Sequence, residues 1–521
     1  MELIVREARK KAELVKGKRI LSYLQELSID INASCGGKGE CGQCLVEVES
    51  SPGALSAKTE VEHKFIRNER QRLACQAIIL KTDEPIYVQV PRRSFSILDS
   101  GKYWEIPVVP FVRREGERVF YESEDVGEYC GAIYGIALDI GTTTLAMYLV
   151  NLETGEVLSV SARENPQTRY GNNVVSRIEF ARRGQHILEQ EIRTAVNEMV
   201  AALTDPRKVY EIVVVGNPVM RDLFFGYSVE SLGRSPYEPL SVEPVHKQAE
   251  EIGLRANPNA KVYGLPLIGS FVGADALAVV LATGMCKSEK INMAIDIGTN
   301  TEILIGNKDK LMATSCAAGP AFEGSSITHG ICSVTGAIKE VQIENGNAVY
   351  KTIGYADPVG ICGSGLIDTL AGLLENHIIN GRGKFFGDEK EFSLAGEIGL
   401  SEEDIDQLNL AKTAVSVGIK ILLDRYGIEL HEIESVFLAG AFGYYINVEN
   451  AIRIGLLPPV ELEKVEKVGN AAVEGARQAL ISKTKREDAE AVAKRIEHIK
   501  LEEQENFMEK FVGELYFQKY L

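Results

Sequence analysis

Four cysteines fall within the first 75 residues, spaced Cys35-x5-Cys41-x2-Cys44-x30-Cys75. Gly36, Gly37, Gly39 and Gly42 stand among the first three, in SCGGKGECGQC (34–44). They let the backbone wrap a compact anionic core and point N–H groups at inorganic sulfide. Three thiols crowd one loop, and the fourth is expected to open an apolar strand in RLACQAIIL. That arrangement suits a [2Fe–2S] cluster, whereas a structural zinc site more often uses two separated CxxC or CxxH knuckles. The remaining cysteines, Cys130, Cys286, Cys316, Cys332 and Cys362, are scattered, so nine in 521 residues do not form a disulfide scaffold.

A second chemistry is written twice. ALDIGTTT (137–144) and AIDIGTNT (294–301) share Ala, Asp, Ile, Gly and two Thr at a constant offset. Each follows a short apolar strand, and Gly141 or Gly298 permits a tight turn whose N–H groups and threonine hydroxyls can hydrogen-bond phosphate oxygens. Thr142, Thr143 and Thr144 belong to the first hairpin, and Thr299, Asn300 and Thr301 to the second. An aspartate at the strand end is too anionic to touch phosphate, but it can hold Mg²⁺ through water or orient an attacking water. Asp139 and Asp296 are the candidate catalytic residues, facing each other across a cleft. No GxxxxGK[ST] loop is present, so a P-loop lysine is not the device.

These residues need elements to position them. A second pair of matching segments, EIVVVGN (211–217) and SVFLAGAFG (435–443), reads as buried strands, each preceded by a helix, over 189–203 and 411–426. Two similar domains are the simplest explanation. The interval from Asp296 to Gly440 is longer than that from Asp139 to Gly216, which places an insertion within 317–400. The chain divides into a small mixed α/β domain at 1–92 with one helix near 20–27, a linker at 93–132, and two halves at 133–286 and 287–521. The C-terminal tail reads as helix, strand and amphipathic helix packing back on the fold. A net charge of −17 disfavours nucleic acid as a main partner. No apolar run is long enough to span a membrane and the N-terminus has no signal-type centre, so a cytoplasmic protein is expected.

The order LDIGTTTLAMYLV, AIDIGTNTEILIG, VFLAGAFG resembles the phosphate 1, phosphate 2 and adenosine motifs of the ASKHA superfamily over residues 133–515. The resemblance implies a duplicated actin-like, ribonuclease H-like fold closing on ATP and Mg²⁺. It places Gly440, Ala441, Phe442 and Gly443 against the adenosine, with a core role for Phe442 as the alternative. Glu302 is either a Mg²⁺ ligand or a surface strand residue. Residues 1–92 resemble a β-grasp [2Fe–2S] ferredoxin, with five residues in the first cysteine gap where the plant-type pattern has four. The fold class is therefore α/β and α+β multidomain.

A ferredoxin joined to an ASKHA ATPase resembles one family, the ATP-dependent reductive activators of corrinoid proteins. NPQTRYGNNVVSRI (165–178), VVVGNPVM (213–220), GSFVGADALA (269–278), CAAGPAFEG (316–324) and GICGSGLID (360–368) are similar to its sequences. The resemblance implies one-electron reduction of a cobalamin-binding methyltransferase subunit from Co(II) to Co(I). It also implies an external low-potential electron donor, with a homodimer among the open oligomeric options. Two other readings remain at this point. One is an activator of a 2-hydroxyacyl-CoA dehydratase, for which Cys316 in a CAAG context would bind a shared cluster; an isolated apolar-flanked cysteine is more often core. The other is a small-molecule kinase with a redox-sensing ferredoxin domain, which a sugar or acid substrate would reveal. A non-enzymatic Hsp70-like regulator is a further option, and His329 is expected to be structural.

Overall fold

A computed structural model of the protein describes residues 1–6, 10–27, 29, 31, 37–39, 44–63, 65–66, 68–90, 102–324 and 326–517. The first sheet has five strands in the order Lys10–Glu13, Glu2–Val5, Ile86–Gln89, Leu45–Glu49, Gln71–Leu73. Its first and last central strands, Glu2–Val5 and Ile86–Gln89, run parallel. The helix Ile20–Glu26 buries Ile20, Leu21, Tyr23 and Leu24 in a core with Leu3, Val46, Leu73 and Val88. This is the β-grasp arrangement. The expectation that Cys75 opens a strand does not hold. Leu73 ends its strand because its carbonyl accepts from the N–H groups of Gln76 (2.8 Å) and Ala77 (3.0 Å), closing a turn around Cys75.

Part of the segment expected as a linker is ordered. Val112–Glu115, Arg118–Tyr121 and Glu124–Glu128 form an antiparallel meander whose Val112, Val119 and Val126 enter the core of the following unit. Each short strand buries one valine among charged neighbours, too sparse a pattern to read as a strand.

Two six-stranded sheets follow. Five strands of the first run Val157–Glu164, Thr144–Asn151, Tyr134–Ile140, Val209–Gly216, Lys261–Gly264; their counterparts run Leu311–Cys316, Thr301–Gly306, Asn292–Ile297, Ser435–Ala439, Val465–Gly469. In both, the first three strands are antiparallel and the last two join in parallel. The duplicated sequence is a duplicated ribonuclease H-like fold. Val209–Gly216 is buried at every position, as a central parallel strand covered on both faces must be. Capping boxes at Asn173 and Ser401 start the long helices Val174–Leu203 and Glu402–Tyr426. Between Cys316 and Glu402 the second half carries a hairpin, the helix Gly363–Glu375 and a two-stranded ribbon.

The two sheets share one core. The helices Ala274–Thr283 and Ala471–Ile481 lie between them, so close that a Cβ on Gly475 would meet the Ala278 carbonyl oxygen at 2.1 Å. Ala137 and Val213 of the first sheet and Ala294, Leu304 and Ala439 of the second pack in this layer. The chain thus leaves the second sheet at Gly469 and crosses to the first through Asn470. The tail folds back as expected: the helix Lys483–Ala493, the strand Ile496–His498 on the second sheet, and the helix Phe507–Glu514. Lys412, almost fully buried, fastens that last helix by donating to Glu514 O at 2.6 Å and Tyr516 O at 3.0 Å. No helix among the described residues is long and apolar enough to cross a membrane.

Candidate functional site

Both DIGT segments sit at the ends of first strands, and their turns line one cavity of about 320 Å³ between the sheets. In the first hairpin the Gly141 N–H donates to Thr144 O at 2.9 Å, and a Cβ on Gly141 would meet that oxygen at 2.6 Å, so glycine is required. The two hairpins differ in register. Asp139 pairs across its ladder with Ala146, whereas Asp296 pairs with Glu302, the sequence counterpart of Leu145. A slip of one residue exchanges the faces of a strand. It buries Leu145 in the first half and turns Glu302 toward the cleft in the second. Glu302 is therefore no surface strand residue; it lines the cavity, 7% exposed, and accepts from Ser315 Oγ at 3.1 Å.

Four carboxylates converge here. Asp139 and Asp296 are joined by Glu302 and by Asp275, which opens the helix Ala274–Thr283. Burial, then the charges of Asp275 and Asp296, push Asp139 up to about 8, with the Asn470 amide opposing at 3.1 Å. Burial and then Asp275 push Asp296 up to about 7, and burial holds Asp275 at about 6. Glu302 is raised by burial, Asp275 and Asp296 in turn. Such a set resists full ionisation near neutral pH, and a cation would relieve it. Among the described residues no three Asp, Glu, His or Cys side chains converge closely enough to hold a metal directly. Carboxylate oxygens are hard donors of the kind that suit a hydrated Mg²⁺.

Threonines of the two hairpins meet across the cleft, Thr143 Oγ1 lying 3.0 Å from Thr299 Oγ1. The Glu323 carboxylate accepts from both, at 3.0 Å from Thr143 and at 2.9 and 3.1 Å from Thr299. Thr142 Oγ1 accepts from the Asn217 side chain at 3.0 Å, which leaves its own proton for an anion. Thr144, Gly298 and Asn300 also reach the cavity. Thr301 does not: it is fully buried, and among the described residues its hydroxyl has no partner.

The AGAFG segment lies at the end of Ser435–Ala439. Gly440 has φ +88°, and a Cβ there would meet Ile297 O at 2.6 Å and Asp296 Oδ1 at 2.7 Å. Phe442 stacks on Phe322 with centroids 5.9 Å apart, and both line the cavity while Phe442 also packs on the core. Ala441 begins the short helix Ala441–Tyr445, and Gly443 packs on Leu438 behind the wall. Cys316 is fully buried against Gly418, where burial and then Glu302 push its thiol up; it is a core residue. His329 Nδ1 accepts from Gly399 N at 2.9 Å, a structural bond.

Of the four N-terminal cysteines, Cys35 and Cys41 lie outside the described residues. Cys44 and Cys75 are buried side by side: Ala74 N donates to Cys44 O at 2.9 Å, and Leu45 pairs with Leu73. The Gln76 amide donates to Cys75 Sγ at 3.4 Å. Gly37 and Gly39 take φ of +84° and +87°, conformations that favour glycine. The described half of this ligand set fits a [2Fe–2S] cluster.

Asp275, Asn470, Glu323 and Asn217 were not singled out from sequence. The signal for Asp275, Glu323 and Asn217 lies in GADALA, CAAGPAFEG and VVVGNPVM, whose polar residues stand out only once the fold brings them to one cleft; Asn470 lies in none of these segments.

Two pseudo-equivalent halves closing on a carboxylate-lined cleft, behind a β-grasp sheet with buried cysteines, define a ferredoxin-linked ATPase of the actin-like class. Family profiles agree, matching the 2Fe-2S iron-sulfur cluster binding domain at residues 4–80, the RACo middle region at 134–288 and the C-terminal ASKHA domain of RACo at 290–520. The corrinoid activation enzyme RamQ of Eubacterium limosum is 30% identical over 574 residues, covering 93% of this chain and 94% of that protein. The [Co(II) methylated amine-specific corrinoid protein] reductase of Methanosarcina barkeri is 29% identical over 419 residues, covering 74% and 77%. A solved structure titled reductive activator for corrinoid, iron-sulfur protein superposes with a TM-score of 0.73 at 28% identity, covering 99% of this chain and 98% of that one. The chain belongs to this family of corrinoid-protein reductive activators.

Proposed function

We propose that this protein reduces the cobalt of a partner corrinoid protein from Co(II) to Co(I) by one electron, while ATP is hydrolysed to ADP and phosphate. The observation that carries this is the presence, in one chain, of the buried Cys44–Cys75 pair and the two-hairpin carboxylate cleft, in a chain similar to RamQ over 93% of its length. A [2Fe–2S] cluster held by Cys35, Cys41, Cys44 and Cys75 supplies a one-electron carrier filled by an external low-potential donor. In the cleft, the hairpin residues 141–144 and 298–300 bind the phosphates. Asp139, Asp275 and Asp296 hold Mg²⁺ through water and order the attacking water. Gly440 and the Phe322–Phe442 pair face the adenosine.

Coupling is needed because each ~59 mV uphill for one electron corresponds to roughly 1.4 kcal/mol. ATP supplies it by shifting which arrangement of activator and target is populated. The reading fits a cytoplasmic protein. Its test follows Co(II)-to-Co(I) conversion spectroscopically in a purified corrinoid protein mixed with this chain and a reductant. Conversion that requires both ATP and the cysteines is expected. Equal conversion without ATP, or with all four cysteines replaced, sinks the reading.

A further inference from the structure

The segment NPQTRYGNNVVSRI (165–178) takes no part in the cavity wall just described, yet it backs the first hairpin. Three consecutive hairpin carbonyls accept from it. The Asn165 side-chain amide donates to Gly141 O at 2.8 Å, the Arg177 guanidinium donates to Thr142 O, and the Asn165 backbone N–H donates to Thr143 O at 2.8 Å. The capping box at Asn173 fixes the start of the helix that carries Arg177. Arg177 is completely buried. It also donates to Gly171 O at 3.0 Å and Gln167 Oε1 at 3.2 Å, and among the described residues it forms no ion pair. Glu164 is the acid whose charge reaches it.

A buried cation without a paired carboxylate is expensive and calls for a balancing anion. The peptide that Arg177 grips is that of Thr142, whose side chain faces the cavity. We propose that Arg177 and Asn165 are positioning residues for the nucleotide triphosphate. They draw the carbonyls of Gly141, Thr142 and Thr143 backward, so that the hairpin presents its N–H groups and hydroxyls to phosphate. The Arg177 charge then offsets phosphate charge across one peptide unit. This rests on the cleft being the ATP site.

The test measures binding of Mg-ATP and of adenosine to the full-length protein by calorimetry, in wild type, Arg177→Met, Arg177→Lys and Asn165→Ala. A hydrogen bond to a charged group is worth enough to predict a roughly tenfold to hundredfold loss of ATP affinity in Arg177→Met. Adenosine affinity should stay within about twofold, and Arg177→Lys, which keeps the charge but not the fork, should recover part of the loss. Asn165→Ala should weaken ATP by about tenfold, and it carries the test if Arg177→Met does not fold. ATP affinity unchanged in the folded variants, or ATP and adenosine weakened equally, overturns the proposal. A wild type that binds no ATP overturns the reading of the cleft instead.

Discussion

Replacing Asp275 with asparagine should stabilise the empty protein while impairing its use of nucleotide. The Asp275 carboxylate is the charge common to Asp139, Asp296 and Glu302, and it adds in each case to the effect of burial. A carboxylate whose folded value is raised above its unfolded one gives stability that is complete at low pH and is lost as pH rises through the folded value. For Asp296 and Asp139 those folded values are about 7 and about 8, so the loss runs from the ordinary carboxylate range near pH 4 up to about pH 8. Asparagine keeps the oxygen that accepts from Ala276 N at 2.8 Å and removes only the charge. Each pKa unit by which the other two relax returns about 1.4 kcal/mol, giving on the order of 1–3 kcal/mol at pH 8.5 and little at pH 5.5. Asp275 is itself raised, so the variant gains some stability at both pH values, and scanning calorimetry with and without Mg-ATP reads the relaxation of Asp139 and Asp296 as a rise in the ATPase transition a few degrees larger at pH 8.5 than at pH 5.5. The stabilisation by Mg-ATP should shrink by about 1.4 kcal/mol for each tenfold loss of affinity. A variant less stable by the same amount at both pH values, with the Mg-ATP effect intact, would refute the reasoning.

Gly440→Ala forces a left-handed residue against Ile297 O and Asp296 Oδ1 and should cost about 2–4 kcal/mol in urea denaturation. Gly253→Ala, with φ +71° and open space around it, should cost only about 1–2 kcal/mol. Cys75→Ser should remove the visible absorbance of the cluster and take bound iron from about two per chain toward zero, while Mg-ATP affinity stays at the wild-type value. Arg486 pairs with Glu211 at 2.7 Å, both nearly fully buried, and lies over the rings of Phe111 and Tyr263 at 4.1 and 4.2 Å. Arg486→Met should cost about 3–5 kcal/mol by stranding the Glu211 charge, and adding Glu211→Leu should recover most of it; denaturation midpoints of the two variants decide.

Much of the fold was legible because its signals are local. A strand, a tight turn and a carboxylate occupy one short run, and two copies at a fixed offset imply two sheets of one topology; the strand orders agree. The site was legible only where the chain repeats. Asp275 reads as an ordinary first-turn helical acid, and Asn470 as an ordinary cap, until the core layer sets both against Asp139. Glu302 could not be assigned to a face, because the one-residue difference in hairpin register is a property of the ladder and not of the motif. Thr301 was misread for the same reason. By sequence it matches Thr144, which reaches the cavity, while in the shorter second turn it falls inside the sheet.

The segment joining the cluster sheet to the ATPase bears on how two distant chemistries share one outcome. Lys102 pairs with Glu466 on the last strand of the second sheet. The Tyr103 ring lies 5.7 Å from that of Tyr148, a first-sheet residue in the nucleotide cavity wall. Arg477, on the helix that crosses from one sheet to the other, donates to Trp104 O at 2.8 Å, and Val109 N donates to Ile481 O at the end of that helix. The eight-residue stretch 102–109 thus touches both halves of the cleft and the helix that links them. Were one sheet to rotate against the other, these contacts would pass the motion to residues 102–109. A nucleotide that prefers one arrangement of the halves biases the root of the electron-carrying unit by its difference in affinity between the two arrangements. Contact between nucleotide and cluster is not required for that bias, and neither is a transfer of phosphate to the protein.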